Sequence, residues 1–132
     1  MNLMIYRLFM KKIFIIIFTL VSFNCFAVDK STTFTIEKLN TAQSEGKIVV
    51  INSWNETCYT CAKQIKILNE AKNNFNDVLF LSFEQQTDKE VAKLLGIEYW
   101  TTIVIYKNNE EVYRSIGEIK KSKIYSSISS LI

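Results

Sequence analysis

Hydrophobic positions along this chain alternate between two spacings. Ile48-Val49-Val50-Ile51 is an unbroken β-branched run, the pattern of a strand covered on both faces. Residues 58–75 then shift to a helical spacing, with Cys61, Ile65, Leu68 and Phe75 on one side. Val78 to Phe83 predicts a second buried strand. Ahead of these, Ser31 to Gly46 reads as a short extended lead-in followed by a helix, with Ile36, Leu39 and Ala42 along one side. One further short strand near Phe34 is compatible with that lead-in.

Past Phe83, Thr87-Asp88-Lys89-Glu90 has the spacing of a capping box, in which Thr87 and Glu90 satisfy free N–H groups at a helix start. Val91, Leu94 and Leu95 give that short helix an apolar side, and Gly96 suits a left-handed end. Ile103 to Tyr106 and Val112 to Ile116 flank Lys107 to Glu111, where Asn108-Asn109 can supply the positive φ angles of a hairpin turn. Ile124, Ile128 and Leu131 space as a closing helix. The order α-β-α-β-α-β-β-α predicts an α/β domain whose central mixed sheet of four to five strands carries helices on both faces.

The first 27 residues follow neither pattern. Lys11 and Lys12 precede the apolar run Ile13 to Phe23, and Cys25-Phe26-Ala27 places small residues at the two positions read by a signal peptidase. This predicts a signal peptide over 1–27, cleavage after Ala27, and a domain over 28–132 exported to the periplasm or cell envelope. An uncleaved membrane anchor is the alternative, although the run is short of the ~20 residues a spanning helix needs. Lipidation of Cys25 is a further alternative, which Asn24 disfavours.

At 132 residues the chain has room for one domain. Its net charge of +3 arises entirely before Val28, where Arg7, Lys11 and Lys12 meet no acid; 13 basic and 13 acidic residues balance thereafter. No clustered basic charge is left to neutralise phosphates, which argues against nucleic acid. There is no histidine, which removes Ser/His/Asp and Cys/His catalysis and most zinc enzymes. Proline is also absent.

One motif carries chemistry. Cys58-Tyr59-Thr60-Cys61 stands where the first buried strand gives way to a long helix. A helix start presents unpaired N–H groups and partial positive charge, which stabilise a thiolate at Cys58. Residues i and i+3 on a helical turn lie close enough to close a disulfide. Cys58 is therefore the candidate nucleophile and Cys61 the resolving thiol. A zinc half-site is the competing reading, but the exported part has no other Cys or His to complete a shell. An inert disulfide would close so small a loop that it stabilises little.

Ile48 to Cys61, with Trp54 before the cysteines, resembles the strand, aromatic turn and CxxC helix of the thioredoxin family. Gly96-Ile97 and Thr102 to Asn108 resemble that family's later loop, strand and hairpin, so the resemblance runs from about Phe34 to Ile132. It implies a thioredoxin-like fold and a thiol–disulfide oxidoreductase with no cofactor beyond its redox-active disulfide. The implied partners are protein thiols or disulfides and a membrane electron donor, with a transient homodimer as a further option. The site surroundings it implies are Trp54, Asn52, Tyr59, Thr60, Trp100 and Thr101.

Several of those positions depart from the family pattern. Thr101 takes the place of a cis-proline that in the family binds substrate backbone and keeps metals from the thiols. A cis bond before a non-proline residue costs ~2.5–4 kcal/mol, so a trans or strained loop is expected. Asn52 replaces a buried aspartate that helps deprotonate the inner cysteine; an asparagine can orient a water but cannot act as the base. Thr57 stands where a tryptophan usually precedes the first cysteine, and Tyr59-Thr60 replaces Gly-Pro. Trp100 beside Thr101 is either a substrate platform or a core residue. Three alternatives follow: a disulfide-introducing oxidase, a metal or iron–sulfur carrier, and a redox-inactive binding domain.

Overall fold

The structure, a computed structural model, describes residues 30–132; the expected signal segment 1–27, with Cys25, lies outside the described residues. Among the described residues eight elements follow the predicted order: α1 (Ile36–Ser44), β1 (Ile48–Trp54), α2 (Tyr59–Lys72), β2 (Val78–Glu84), α3 (Lys89–Leu94), β3 (Thr102–Lys107), β4 (Glu110–Ile116) and α4 (Lys121–Ser129). The sheet order is β2-β1-β3-β4, with β1 and β2 parallel and the other pairs antiparallel.

The β-branched run of β1 is buried along its whole length because the strand is central and covered twice. Val49 and Ile51 join Leu81, Phe83 and Val104 beneath Leu39 and Ala42 of α1 and Ala92 of α3. Ile48 and Val50 face the other way, with Ile103 and Ile105, against Leu68 and Ala71 of α2 and Ile124 and Ile128 of α4. Each of these branched side chains contributes roughly 1.5–3 kcal/mol on full burial, and together they hold the helices to the two faces. The hairpin turn forms as its asparagines predict, with φ of 53° at Asn108 and 65° at Asn109. Gly96 ends α3 with a φ of 58°.

Three local expectations are corrected. No strand forms near Phe34, so four strands make up the sheet among the described residues. The N–H groups of Thr33 and Phe34 both use the carbonyl of Ser82, and Ser82 N–H returns to the Thr33 hydroxyl rather than to a carbonyl. That pattern tethers the lead-in along the edge of β2 without building a ladder.

The capping box does not form. Asp88 occupies the N-cap of α3 with no side-chain cap, because its carboxylate accepts from Glu84 N–H and the Thr32 hydroxyl. Thr87 turns back instead, and its hydroxyl donates to the Glu84 carbonyl. Finally, Ile36 and Leu94 are exposed and lie outside the sheet-facing stripes, and together with core residue Phe34 and with Val91 they border one surface depression.

Candidate active site

The end of β1 and the start of α2 are joined by a turn organised by the side chain of Asn55. Buried Asn55 accepts at Oδ1 from Thr57 N–H (3.0 Å) and from the Thr57 hydroxyl (2.9 Å), and its carbonyl accepts from Cys58 N–H (3.2 Å). Its Nδ2 donates to Oε1 of Glu84 at 3.0 Å, across to the end of β2. Glu84 Oε2 also accepts from Thr87 N–H at 2.7 Å. Burial pushes the Glu84 carboxyl up, but hydrogen bonds from Thr87, Asn55 and Gln86 outweigh it and hold it below its ordinary value. From the outer side, Lys30 Nζ donates to the carbonyls of Asn55 and Glu56.

This turn delivers Cys58 as the N-cap of α2, where its Sγ accepts from Cys61 N–H at 3.1 Å. Cys58 and Cys61 form a disulfide, with Cα atoms 5.2 Å apart. Cys58 is half-buried, whereas Cys61 is fully buried against Trp54 and Ile65. The asymmetry suits an outer sulfur that meets substrate and an inner one that resolves.

The loop facing the disulfide carries Thr101, whose Oγ1 lies 3.4 Å from Cys58 Sγ and 3.1 Å from Cys61 Sγ. Peptide bonds among the described residues are all trans, and Thr101 has a φ of 57°. For a β-branched residue that is an outlier costing ~1–3 kcal/mol, and it persists only where the surroundings over-determine it. Here they do. Thr101 N–H donates to the Ser53 carbonyl (3.0 Å), and its own carbonyl accepts from Gly117 N–H (2.8 Å) and Gln64 Nε2 (3.1 Å). Ser53 Oγ and the Thr102 hydroxyl both donate to the Tyr99 carbonyl, at 2.9 and 2.6 Å, which pins the preceding turn.

The remaining expected residues divide between core and rim. Trp54 is buried beneath the disulfide. Asn52 is buried one strand repeat earlier, bordering a cavity of about 20 Å³, the size that holds one water. No hydrogen bond of Asn52 to either sulfur occurs among the described residues. Tyr59 is exposed with Lys63 Nζ 4.8 Å from its ring centroid, and Thr60 is half-buried. Trp100 is 42% exposed, so it stands as a rim residue rather than a core tryptophan.

Sequence reasoning missed Gln64, Tyr99 and the Asn55–Glu84 strut. Gln64 had a visible signal, being an amide within the otherwise apolar stripe that runs from Cys61 to Leu68. Tyr99 is exposed beside Trp100 and widens the aromatic rim. Among the described residues no group of three or more His, Cys, Asp or Glu side chains could hold a metal ion. Cys58 and Cys61 would supply only two of the four ligands of a tetrahedral site.

Comparison with known proteins bears on the same residues. The family model described as Thioredoxin matches residues 28–130. Thioredoxin of Mycoplasma genitalium is 27% identical over 90 residues, covering 68% of this chain and 88% of that protein. Thioredoxin H-type of Fagopyrum esculentum is 28% identical over 89 residues, covering 67% and 77%. Among solved structures, Trxlp from Edwardsiella tarda superposes with a TM-score of 0.68 at 23% identity, covering 71% of this chain and 93% of that one. Fasciola hepatica thioredoxin gives 0.66 at 21% identity, covering 74% and 91%. The structural likenesses bear on the fold.

Proposed function

The chain belongs to the thioredoxin family and is a thiol–disulfide oxidoreductase, and on that premise we propose that it is exported and reduces or exchanges disulfides in envelope proteins through Cys58 and Cys61. The observation that carries the chemistry is the asymmetric pair, with half-buried Cys58 capping α2 and fully buried Cys61 one turn inside. Cys58 thiolate attacks a substrate disulfide, and Cys61 then displaces the substrate sulfur to close the bond present in the structure.

Exposed Tyr59 follows Cys58 in the chain, exposed Tyr99 and Trp100 lead into Thr101, and the three offer a substrate polypeptide apolar contact with polar handles. Export rests on Lys11-Lys12, the run Ile13 to Phe23 and Cys25-Phe26-Ala27. In an envelope compartment the dithiol is regenerated by a membrane electron donor, and any pairing of two copies is transient.

The test is reduction of insulin disulfides by the full chain with dithiothreitol as the electron source, together with fractionation of the cells that make it. Cys58→Ser is expected to abolish the reduction; activity equal to that of the unchanged chain would reject the assignment of Cys58. Recovery of the chain in the cytoplasmic fraction would reject export. A second reading, a metal or iron–sulfur carrier, rests on Thr101 in place of the proline and on the accessibility of Cys58. It would join the cysteine pairs of two copies. Purified protein that is coloured, or that holds metal in proportion to chain, would favour it.

A further inference from the structure

A dithiol that closes to a disulfide must dispose of protons, and this centre lacks the usual groups for doing so. The chain has no histidine. Asn52 is neither an acid nor a base at neutral pH, and Glu84 is committed to Asn55 and Thr87. The polar partners of the two sulfurs among the described residues are Cys61 N–H and the Thr101 hydroxyl. Of these, the hydroxyl alone can both accept and donate. It reaches Cys61 Sγ at 3.1 Å and Cys58 Sγ at 3.4 Å, and its residue is 4% exposed, so bulk water does not readily take its place.

We infer that the Thr101 hydroxyl is the proton relay of this centre, accepting from the Cys61 thiol while donating to the sulfur held at Cys58. In the dithiol state the line runs from Cys61 S–H to Thr101 Oγ1 and from Thr101 O–H to the Cys58 thiolate. Cys58 attacks one sulfur of the substrate disulfide, and the other leaves as a thiolate that takes a proton from solvent. In the second step the Cys61 sulfur forms its bond to Cys58 Sγ while the bond from Cys58 to substrate breaks. The Cys61 proton passes to Thr101 Oγ1 as the hydroxyl's own proton passes to the departing substrate sulfur. Two electrons leave the dithiol and reduce the substrate disulfide to two thiols, and Thr101 ends unchanged.

The backbone of Thr101 fits this role. A β-branched residue held at a φ of 57° by Ser53, Gly117 and Gln64 keeps its hydroxyl facing both sulfurs through contacts other than the disulfide. Pre-placement of this kind spares reorganisation during the reaction.

The inference rests on the oxidoreductase reading, and the two can fail separately. Thr101→Val preserves shape and branching and removes the hydroxyl, Thr101→Ser retains it, and Thr101→Ala is a second hydroxyl-free variant should valine prevent folding. In the reduced full chain, iodoacetamide alkylation of Cys58 is followed against pH by peptide mass spectrometry, which separates Cys58 from Cys25 and Cys61. Removing a hydrogen bond to the charged form is expected to move the Cys58 profile about one pH unit upward, roughly tenfold slower alkylation at neutral pH. In acid-quenched single turnovers with oxidised insulin, the Cys58 mixed disulfide should persist roughly tenfold longer in the valine variant. Serine should restore both readouts. Wild-type behaviour of the valine or alanine variant, or an equal defect in the serine variant, overturns the relay. An unchanged chain whose Cys58–Cys61 bond does not open and close reversibly with dithiothreitol, and which does not reduce insulin, would instead sink the oxidoreductase reading itself.

Discussion

Gln64 Nε2 donates to the carbonyl oxygen of Thr101 at 3.1 Å, tying the helix that carries the cysteines to the loop that faces them. The same nitrogen donates to the Glu118 carbonyl at 2.9 Å, while Gln64 Oε1 is buried without a partner among the described residues. The side chain thus serves as a two-pronged donor in a site with no exposure.

Replacing Gln64 by Glu is therefore expected to be far more damaging than its size suggests. An ionised carboxylate cannot donate, and it would face two carbonyl oxygens in a buried site, a loss of about 3 kcal/mol or more at neutral pH. Gln64→Met keeps the volume, leaves the Thr101 carbonyl its bond from Gly117, and is expected to cost roughly 1–2 kcal/mol. Urea unfolding at pH 5 and pH 8 separates the cases. The Glu variant should be weaker at pH 8 than at pH 5, because burial raises the pKa of an unpaired carboxyl in the folded state and ionisation then favours unfolding. A Met variant as stable as the unchanged chain would show that the donor bonds carry little, and equal stability of the Glu and Met variants at both values would show that the carboxylate adds no penalty of its own.

Glu84 titrates in the opposite sense. Its carboxyl is pushed up by burial and pulled further down by hydrogen bonds from Thr87, Asn55 and Gln86, to below its ordinary value of 4.5. A group depressed on folding contributes stability above its unfolded pKa, and the contribution is lost as pH falls through the folded one. Glu84→Gln retains one acceptor and places an amide donor where Thr87 N–H also donates, which is expected to cost about 1–3 kcal/mol at pH 7. The difference from the unchanged chain should narrow as pH falls below 4.5. Melting curves from pH 3 to pH 7 check this. A gap constant with pH would mean that the strut works without its charge.

The direction of electron transfer follows from how strongly the Cys58 thiolate is held. In the disulfide, the groups placed to donate to Cys58 Sγ are Cys61 N–H at 3.1 Å and the Thr101 hydroxyl at 3.4 Å, with no histidine in the chain and no Lys or Arg bonded to either sulfur among the described residues. Moving a dithiol from about −270 mV to about −120 mV requires roughly 7 kcal/mol of extra stabilisation of the reduced form. Two hydrogen bonds, each contributing ~1–3 kcal/mol even to a charged partner, fall short of that. The expected potential, measured by equilibration with dithiothreitol or glutathione, is near −270 mV. A value close to −120 mV would mean an oxidant of exported thiols and would require a thiolate stabiliser that these contacts do not provide.

Much of this architecture was legible in the sequence, because hydrophobic spacing responds directly to burial. The β-branched run Ile48 to Ile51 carries the mark of a twice-covered strand, and Asn108-Asn109 could open a hairpin without glycine. What misled were local rules overruled by longer-range partners. Thr87 and Glu90 have capping-box spacing, yet Asp88 is drawn to Thr32 and the Glu84 N–H, and Thr87 follows the Glu84 carbonyl. The site was legible as far as the cysteines and Thr101. Its supports were not, because Gln64, Asn55 and Glu84 act between segments 29 to 54 residues apart, for which sequence periodicity carries no signal.

Thr101 gives the sharpest conflict between family resemblance and geometry. Restoring the family's residue with Thr101→Pro would ordinarily be expected to stabilise a loop by restricting the unfolded chain. Here the ring fixes φ near −65°, whereas the backbone at this position stands at 57°, about 120° away. Proline also has no N–H, so the bond from Thr101 N–H to the Ser53 carbonyl is lost, and the hydroxyl facing the sulfurs goes with it. The change is expected to cost about 3 kcal/mol or more unless the loop rearranges. Rearrangement would release the Thr101 carbonyl from Gly117 and Gln64, and so expose the amide of Gly117 to exchange. Urea unfolding of the full chain together with amide hydrogen exchange at Gly117 distinguishes the outcomes. A less stable protein, or one of near-normal stability with Gly117 deprotected, fits a loop built around threonine. Normal stability with Gly117 fully protected would mean that the left-handed backbone at Thr101 is not what holds this loop against the disulfide.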